Sequence, residues 1–456
     1  MKSLSTSSRS IPTPCFSPVN SGSRSPVNSR AVSLVIYPRI SPSFRRKIHA
    51  MPHPLYINKP HLRSRALEKS RSDAHYAPVD KLPVEILGEI FTYCVINHLS
   101  YSSYEYPVPG ETEPPMTLSW VSRHWRMVAL SDPLLWSSLV IPSQFKCNVA
   151  PAMSIVELWI ERSASVPLYF HLQRSHRNSS CKCNRAAHTL DFLIRHVQSW
   201  KSITLEMEEL SAQRFINLNQ TSVPALESLE IRTQSNYCTD STTERIIATI
   251  SSSSFPNLRR FSWQYLGTSP ALDTIPWSQL SKISLNNRMS IQECLRYLAQ
   301  CSQAISIELE NVAPSAQDLL SSSGPTILPN LQQLTLKAYS YSMHLLKQLM
   351  TPKLNTLFLD EGWGQRKGFD ALPEFLSLCS VNTLTIVQQY IHIEDIIDIL
   401  KSAALQRVSY LKVSSESVAP DENQLRNSDT LDKAISSRLV FEEDDWGRLF
   451  VGWNNL

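Results

Sequence analysis

An apolar pattern, L-x-x-L-x-L, recurs along residues 200–415 and restricts the possible folds more than any other feature of the chain. Its last position falls at residues 205, 231, 263, 285, 309, 336, 359, 386 and 410, so the spacing averages about 26 residues. The matches are Trp200-Ile203-Leu205, Leu226-Leu229-Ile231, Leu258-Phe261-Trp263, Leu280-Ile283-Leu285, Ala304-Ile307-Leu309, Leu331-Leu334-Leu336, Leu354-Leu357-Leu359, Val381-Leu384-Ile386 and Leu405-Val408-Tyr410. A period of this length is typical of stacked units that bury apolar faces against each other. We therefore predict one strand at each match.

Helical spacing of apolar residues appears between several of these matches. The segments are Ile291-Cys294-Leu295-Leu298, Phe369-Leu372-Phe375-Leu376 and Ile393-Ile396-Ile397-Leu400. A strand and a helix in each unit predict an α/β fold, a parallel sheet wound into a curved solenoid. The pattern resembles leucine-rich repeats, although the asparagine or cysteine usual three residues after the last position is missing, which predicts less uniform turns. The alternative is chance leucine spacing in an ordinary α/β domain.

Three short helical segments are predicted upstream of the repeats. Residues 82–91 read Leu-Pro-Val-Glu-Ile-Leu-Gly-Glu-Ile-Phe, with an apolar stripe and a proline at the first helical turn. Leu118, Val121, Trp125 and Val128 continue at helical spacing after Thr117, a candidate N-cap. Asp132-Pro133 should end that helix, and Leu134, Leu135 and Trp136 should then form a short third element.

The order LPxEIxxxIF, VSxxWRxxA and DPxLW resembles the F-box, in particular the F-box-like domains of mushroom-forming fungi. The resemblance implies a three-helix module that docks on the Skp adaptor subunit of a cullin-RING ubiquitin ligase. It also implies which side chains make the contact: Leu82, Pro83, Ile86, Leu87, Ile90, Phe91, Val121, Ser122, Trp125, Arg126, Leu135 and Trp136. The chain departs from the family at residues 98–115, where a long insertion should project from the module or weaken Skp binding.

Charge separates the first part of the chain from the rest. Residues 1–67 hold 11 Lys and Arg and no Asp or Glu, although the whole chain has a net charge of only +4. This Ser- and Pro-rich segment, with two SPVN repeats, predicts a disordered tail. A mitochondrial transit peptide and a start at Met51 are the alternatives. Because the basic excess belongs to the tail, it does not indicate nucleic-acid binding by the folded part.

No combination of residues indicates catalysis, so we expect that the protein is not an enzyme and needs no cofactor. His176, Cys181, Cys183 and His188 could hold zinc, but a single residue between the cysteines strains a tetrahedral site, and we favour an exposed loop. The acidic run at residues 442–445 could hold a cation, but we favour a solvated terminal cap. Asp360-Glu361-Gly362-Trp363 is interpreted as an exposed repeat turn, and the alternative is that it lines a surface that recognises a partner. Cys294, Cys301 and Cys379 are interpreted as small core residues.

The sequence therefore predicts four parts: a tail (1–75), an F-box-like module (76–140), a leucine-rich-repeat-like solenoid (141–416) and a cap (417–456). The resemblance implies a substrate adaptor of a ubiquitin ligase. Its module would bind Skp, and cullin through Skp, and its solenoid would bind a target protein. We expect it in the cytoplasm or nucleus, without a membrane or nucleic-acid partner. The alternative is a repeat scaffold that acts outside a ubiquitin ligase.

Overall fold

The structure is a computed structural model that describes most of the chain beyond residue 77. The described residues are 78–100, 107–110, 113–142, 149–174, 185–267, 270–313, 324–338, 342–361, 371–388, 393–415, 431, 437–443 and 449–454. The predicted tail, residues 1–75, lies outside them.

The first described part is a small helical module that contains all three predicted elements. Helix α1 is Val84–Ser100, helix α2 is Leu118–Val121 and helix α3 is Arg123–Ser131, followed by a 3-10 turn at Pro133–Trp136. Asp132 ends α3 as predicted, because it adopts an extended conformation and its carboxylate accepts a hydrogen bond from the Leu134 N–H at 3.0 Å.

The second predicted helix is in fact two helices, α2 and α3, divided at Ser122. Ser122 is extended, with φ −150° and ψ 170°, and its side-chain oxygen accepts the Trp125 N–H at 3.1 Å. A serine that caps the next turn in this way competes with a continuous helix. The prediction that Thr117 is an N-cap was wrong, since it is helical and its side chain makes no capping hydrogen bond.

The remaining described residues form mainly one long sheet with helices between its strands. The helices are α4 (Val149–Ser163), α5 (Arg185–Ile194), α6 (Glu209–Ile216), α7 (Asp240–Thr249), α8 (Ile291–Leu298), α9 (Ser342–Leu346), α10 (Leu372–Ser377) and α11 (Ile393–Lys401). The strands are β1 (Ser138–Ile141), β2 (Leu168–Leu172), β3 (Trp200–Glu206), β4 (Ser228–Gln234), β5 (Arg260–Leu266), β6 (Lys282–Ser290), β7 (Ser306–Ala313), β8 (Thr326–Ile327), β9 (Gln333–Ala338), β10 (Leu349–Met350), β11 (Thr356–Glu361), β12 (Thr383–Gln388), β13 (Tyr410–Ser415), β14 (Val440–Glu443) and β15 (Leu449–Asn454).

Strand order in the sheet follows the chain. The thirteen strands run β1-β2-β3-β4-β5-β6-β7-β9-β11-β12-β13-β15-β14, and every pair from β1 to β13 is parallel. The short strands β8 and β10 pair separately. The predicted α/β class with a parallel sheet is therefore confirmed.

The strands predicted from the apolar pattern are present, and their apolar positions align from strand to strand. Leu334 pairs with Leu357, for example, and Leu336 with Leu359, and all four are buried. The core lies between these side chains and apolar residues of the intervening helices. Strands β1 and β2 extend the alignment towards the module, since Leu139 pairs with Phe170. The pattern therefore begins one strand before the predicted boundary at residue 141.

The last match was placed three residues too early. Leu384 pairs with Leu411 and Ile386 with Val413, so the pattern in β13 is Val408-x-x-Leu411-x-Val413. Leu405 instead lies in a 3-10 turn. The two frames overlap in the sequence, and only the pairing with β12 separates them.

A uniform pattern of backbone hydrogen bonds precedes the strands, and no residue pattern in the sequence predicts it. Along successive units a carbonyl oxygen accepts two N–H groups of the next unit, at distances of 2.8–3.1 Å. These carbonyls belong to Glu227, Arg259, Ser281, Ile305, Gln332, Asn355 and Asn382. Because main-chain groups make this ladder, side chains can vary there without changing the stacking.

Both ends of the parallel part of the sheet, at β1 and at β13, have partners among the described residues. The Pro107 carbonyl accepts the Val140 N–H at 2.7 Å, so the described part of the insertion covers β1. Of the two expectations for this insertion, Pro107 does not fit projection from the module, and the effect on Skp binding stays a prediction; residues 98–100 belong to α1, which continues to Ser100. At the other end β15 pairs antiparallel with β13, where a Cβ on Gly452 would lie only 1.8 Å from the Leu411 carbonyl oxygen.

Candidate partner-binding surfaces

Helix α1 has two adjacent apolar stripes, only one of which is covered. Leu87 and Phe91 are fully buried against the protein's own core. The second stripe consists of Ile86, Ile90 and Tyr93, at spacing i, i+4 and i+7, and all three side chains are exposed. It lies beside the first stripe, because Ile86 and Ile90 immediately precede Leu87 and Phe91. An α-helix needs one apolar face for its own packing, and among the described residues nothing covers the second stripe.

The segment around α3 repeats this arrangement. Val128 and Ala129 face the core, whereas Met127, Leu130 and Leu134 are 60%, 40% and 64% exposed. Val121, at the end of α2, is 59% exposed. The outward side chains are thus large and apolar on both sides of Ser122.

Exposed apolar side chains are concentrated in the module. Among the described residues, fifteen large apolar side chains are exposed, and eight of them fall between residues 84 and 134. Single exposed leucines are normal on a protein surface, but a concentration in one small module is typical of a binding surface.

The twelve residues predicted to bind Skp occupy three kinds of environment. Exposed members are Pro83, Ile86, Ile90, Val121 and Arg126; half-buried members are Leu82, Ser122 and Trp125; buried members are Leu87, Phe91, Leu135 and Trp136. The sequence pattern did not single out the exposed side chains of Val84, Tyr93, Met127, Leu130 and Leu134. Helical spacing from Ile86 and from Met127 could have indicated most of them.

The half-buried and buried members support the exposed ones from inside. The Phe91 and Trp125 rings lie 4.9 Å apart and join α1 to α3. Ser122 caps α3, and the Arg126 Nε donates to the Ser119 carbonyl at 2.9 Å, so both residues fix the break between α2 and α3. These contacts hold the two outward stripes in place.

Trp136 joins the module to the sheet. Its indole N–H donates to the Ala129 carbonyl in α3 at 2.8 Å, and its ring meets Trp159 of α4 edge-on at 5.0 Å. The Arg162 guanidinium lies 4.3 Å from the Trp136 ring centre. Burial lowers the pKa of Arg162, and the charge of Arg126 lowers it further. Module and sheet therefore share one continuous core.

A second surface is the sheet face opposite the core. Its side chains alternate with the buried ones along each strand and are mostly half-buried and polar. Nearest the module they are paired: the His171 Nε2 lies 3.1 Å from Glu206, and the Arg232 Nε lies 2.6 Å from Glu230. Burial alone would raise the pKa of the Glu206 carboxyl, but the hydrogen bond and charge of His171, with Arg174, lower it overall.

Further along this face three carboxylates and one lysine stand on neighbouring strands. Glu308 and Glu310 stand on β7, Lys337 on β9 and Asp360 on β11, and the Lys337 Nζ lies 2.6 Å from Glu308. Burial raises the pKa of the Glu310 carboxyl; Lys337 opposes this rise, whereas Glu308 and Asp360 add to it. The interpretation as a turn was wrong for Asp360 and Glu361, because both residues belong to β11, and Gly362 and Trp363 lie outside the described residues.

The remaining candidates from the sequence, namely the possible zinc ligands, three cysteines and the acidic run, do not form a further site among the described residues. Of the possible zinc ligands only His188 is described, and it is exposed on α5; the described residues contain no group of three metal-ligating side chains. Cys294 and Cys301 are buried as predicted, and burial raises the pKa of the Cys301 thiol to about 12. Cys379 is half-buried against the core. In the acidic run, Glu442 and Glu443 lie in β14, and residues 444–445 are outside the described residues.

No described helix is both long and apolar enough to cross a bilayer. Neither a protein-family model nor a curated protein matches the chain.

Proposed function

We propose that the chain is a substrate-recognition adaptor of an SCF-type cullin-RING ubiquitin ligase. In this proposal the helical module is an F-box-like domain that binds the Skp subunit, and the sheet with its helices is a leucine-rich-repeat-like solenoid that binds a target protein. The protein itself performs no chemistry; it acts in the cytoplasm or nucleus by raising the local concentration of the target near the ubiquitin-conjugating enzyme.

The observation that carries the proposal is the second, uncovered apolar stripe of the module. Ile86, Ile90 and Tyr93 on α1, and Met127, Leu130 and Leu134 around α3, are large apolar side chains in water, on helices whose inner faces are already packed. A partner that buries them would gain hydrophobic free energy at no cost to the module's own packing. The proposed contact set is therefore the exposed part of the sequence prediction plus these outward neighbours.

Support for the solenoid comes from the sheet. Its strands follow chain order, successive units repeat the same backbone bonds, and its open face is lined by varied polar side chains. Parallel stacking of this kind leaves a long surface on which side chains can change without disturbing the core. The Trp136 joint fixes the direction in which this surface faces relative to the module.

The decisive experiment is a binding assay between the full chain and purified Skp of the source organism. We expect the double change Ile86→Ser and Ile90→Ser to weaken binding by about 2–4 kcal/mol, since both side chains would be contact anchors. Ile327→Ser is the matched control, because Ile327 is 58% exposed on β8, in the sheet part of the chain, and should leave the affinity unchanged. Equal affinity for wild type and the double variant, with both folded, removes the Skp-binding proposal.

The second candidate is a repeat scaffold that acts outside a ubiquitin ligase; the same exposed stripes support it, because they would suit another helical partner equally well. Purification of the tagged chain from its own cells distinguishes the two. An adaptor brings down both Skp and cullin, and loses both in the double variant. A scaffold brings down its partner without cullin.

A further inference from the structure

Two exposed basic residues, Arg260 and Lys282, stand directly opposite each other at the start of neighbouring strands. They are the first residues of β5 and β6 and pair in register. Phe261 and Ile283, the next residues, are buried in the core, so both basic side chains lie on the open face of the sheet. Like charges in opposite positions on neighbouring strands repel, so this basic pair does not stabilise the sheet.

The acids around the basic pair are bound to other bases. Strands β5 and β6, all of whose residues are described, contain no Asp or Glu. Three ion pairs engage the nearby acids of β4, of β7 and of the residue before β4: Arg232–Glu230, Lys337–Glu308 and Lys201–Glu227. Glu310 stands on β7 four residues beyond Ser306, the residue that pairs with Lys282. Among the described residues, neither side chain of the basic pair has a hydrogen-bond or ion-pair partner.

Small hydroxyl side chains surround the basic pair on this face. Ser228 on β4 and Ser306 on β7 flank it in the same row, and Ser262 and Ser284 form the next row along β5 and β6. All four are half-buried and too short to cover the two cations, so a group from solvent can reach both. Ser284 already donates to Glu308 at 3.3 Å. The other three hydroxyls have no hydrogen-bond partner among the described residues and can donate to an anion.

We propose that the basic pair binds an acidic segment of the target protein. The proposal rests on the adaptor function, because it names the kind of target the solenoid would select. The Arg260 guanidinium can hold a carboxylate through two parallel hydrogen bonds, and the Lys282 ammonium adds a second positive charge beside it. An extended segment places alternate side chains on one side, about 7 Å apart, so acids at alternate positions can face the pair. Since both cations are solvated, each contact is weak and salt-sensitive.

The test uses the full chain and a short fluorescent peptide of alternating glutamate and serine, with a peptide of alternating arginine and serine as the reverse-charge probe. We expect the acidic peptide to bind more tightly than the basic one, and high salt to weaken its complex. Arg260→Gln with Lys282→Gln should weaken it about tenfold. The matched control is Arg195→Gln with Lys347→Gln, which removes the same two residue types from exposed positions outside the strands and should change affinity less than about twofold.

A second variant, Ser262→Glu, places an acid beside the basic pair within the chain. The same row holds Glu230 on β4 and Glu308 on β7, so the sheet accommodates a glutamate at this position. The new carboxylate should pair with the cations and repel the peptide, and binding should fall at least as far as in the double variant. Both changes relieve the repulsion between like charges. The melting temperature should therefore equal or exceed that of wild type, which separates lost binding from unfolding.

Two outcomes would overturn this assignment. Equal weakening by the two double variants would show that the peptide responds to the net charge of the chain, and absence of acidic-peptide binding to folded wild type would show that the face does not select acidic segments. Skp binding is measured on the same samples. Loss of peptide binding with Skp binding intact supports the proposal, whereas wild type that binds the peptide but not Skp rejects the adaptor function and leaves the acidic-segment site standing.

Discussion

The helical module and the sheet use the same kind of side chain in opposite ways. In the sheet the residues of the apolar pattern are buried by packing: Leu334 and Leu357 are 1% and 0% exposed, and most of the side chains that alternate with the buried ones are polar. In the module each helix buries one apolar stripe and exposes another. Apolar spacing alone therefore does not say whether a side chain supports the fold or awaits a partner. The difference lies in whether a neighbouring element covers the side chain.

The two regions also differ in where their variation is tolerated. Main-chain carbonyls make the repeated contacts between units of the sheet, so its open face can change freely. The module depends on a few specific side chains, namely the Ser122 cap, the Phe91–Trp125 contact and the Trp136 joint. Substitutions at buried and at exposed positions of each region therefore test whether the sheet and the module differ in this way.

The largest effect is expected at the joint. Trp136→Ala removes a fully buried ring, its hydrogen bond to Ala129 and its contact with Trp159, which should cost about 3–5 kcal/mol of unfolding free energy. Chemical denaturation followed by circular dichroism measures this loss. Leu134→Ala, on the neighbouring exposed side chain, is the control and should cost less than about 0.5 kcal/mol. A small loss for Trp136→Ala would mean that module and sheet do not share a core.

Within the sheet, Leu357→Ala should cost about 2–5 kcal/mol, because neighbouring strands on both sides cover this side chain and a cavity remains. Leu334→Ala should behave alike. Thr335→Ser, one residue along on the open face, should cost well under 1 kcal/mol. Thermal unfolding of the three variants gives the comparison, and equal small losses would refute the assignment of alternate residues to core and open face.

The sequence was sufficient for the parts of the fold that depend on periodicity. The strand positions from Leu205 to Ile386, the helix at Ile291–Leu298 and the stop at Asp132 follow from local patterns, and the structure confirms them. The frame of β13 did not follow, because two overlapping patterns fit and only pairing with β12 decides between them. The break at Ser122 was missed for a similar reason: a serine fits either a helix interior or a cap.

The candidate surfaces were predicted less well than the fold. Resemblance indicated which residues of the module matter together, but it could not separate Ile86 from Leu87, since adjacent helical residues differ only in what packs on them. The grouping of Glu308, Lys337 and Asp360 could be recognised only from the strand register, because these residues are distant in the sequence.

Two adjacent residues of α1 should show the difference between a buried and an exposed apolar side chain. Leu87→Ala should cost about 2 kcal/mol, near the lower end for a buried leucine, because a peripheral helix can relax into the cavity. Ile86→Ala, the adjacent outward residue, should cost less than about 0.5 kcal/mol. Urea midpoints of the two variants measure the difference. A comparable loss at Ile86 would indicate that another part of the chain covers the outward stripe.

The smallest effects are expected for two substitutions on the open face, Glu206→Gln and Glu310→Gln. Each should change the unfolding free energy by less than about 1 kcal/mol, and the two changes should have opposite signs. The pKa of Glu206 is lowered in the folded protein, because the partners His171 and Arg174 outweigh the effect of burial, so its ionised form stabilises the fold above the unfolded pKa of about 4.3. Glu206→Gln should therefore be less stable than wild type at neutral pH, and the difference should close as the pH falls below about 4.

Glu310 should behave in the opposite way. Its pKa is raised by burial and by the like charges of Glu308 and Asp360, against the opposing effect of Lys337, so ionisation costs more in the folded than in the unfolded state. This cost is absent below the unfolded pKa and is complete above the raised folded value. Glu310→Gln should thus be more stable than wild type at neutral pH and equal to it in acid. Unfolding free energies of both variants, measured from neutral to acidic pH, test these two predictions. A stability change of the same sign for Glu206→Gln and Glu310→Gln would contradict the opposite pKa shifts of the two carboxyls.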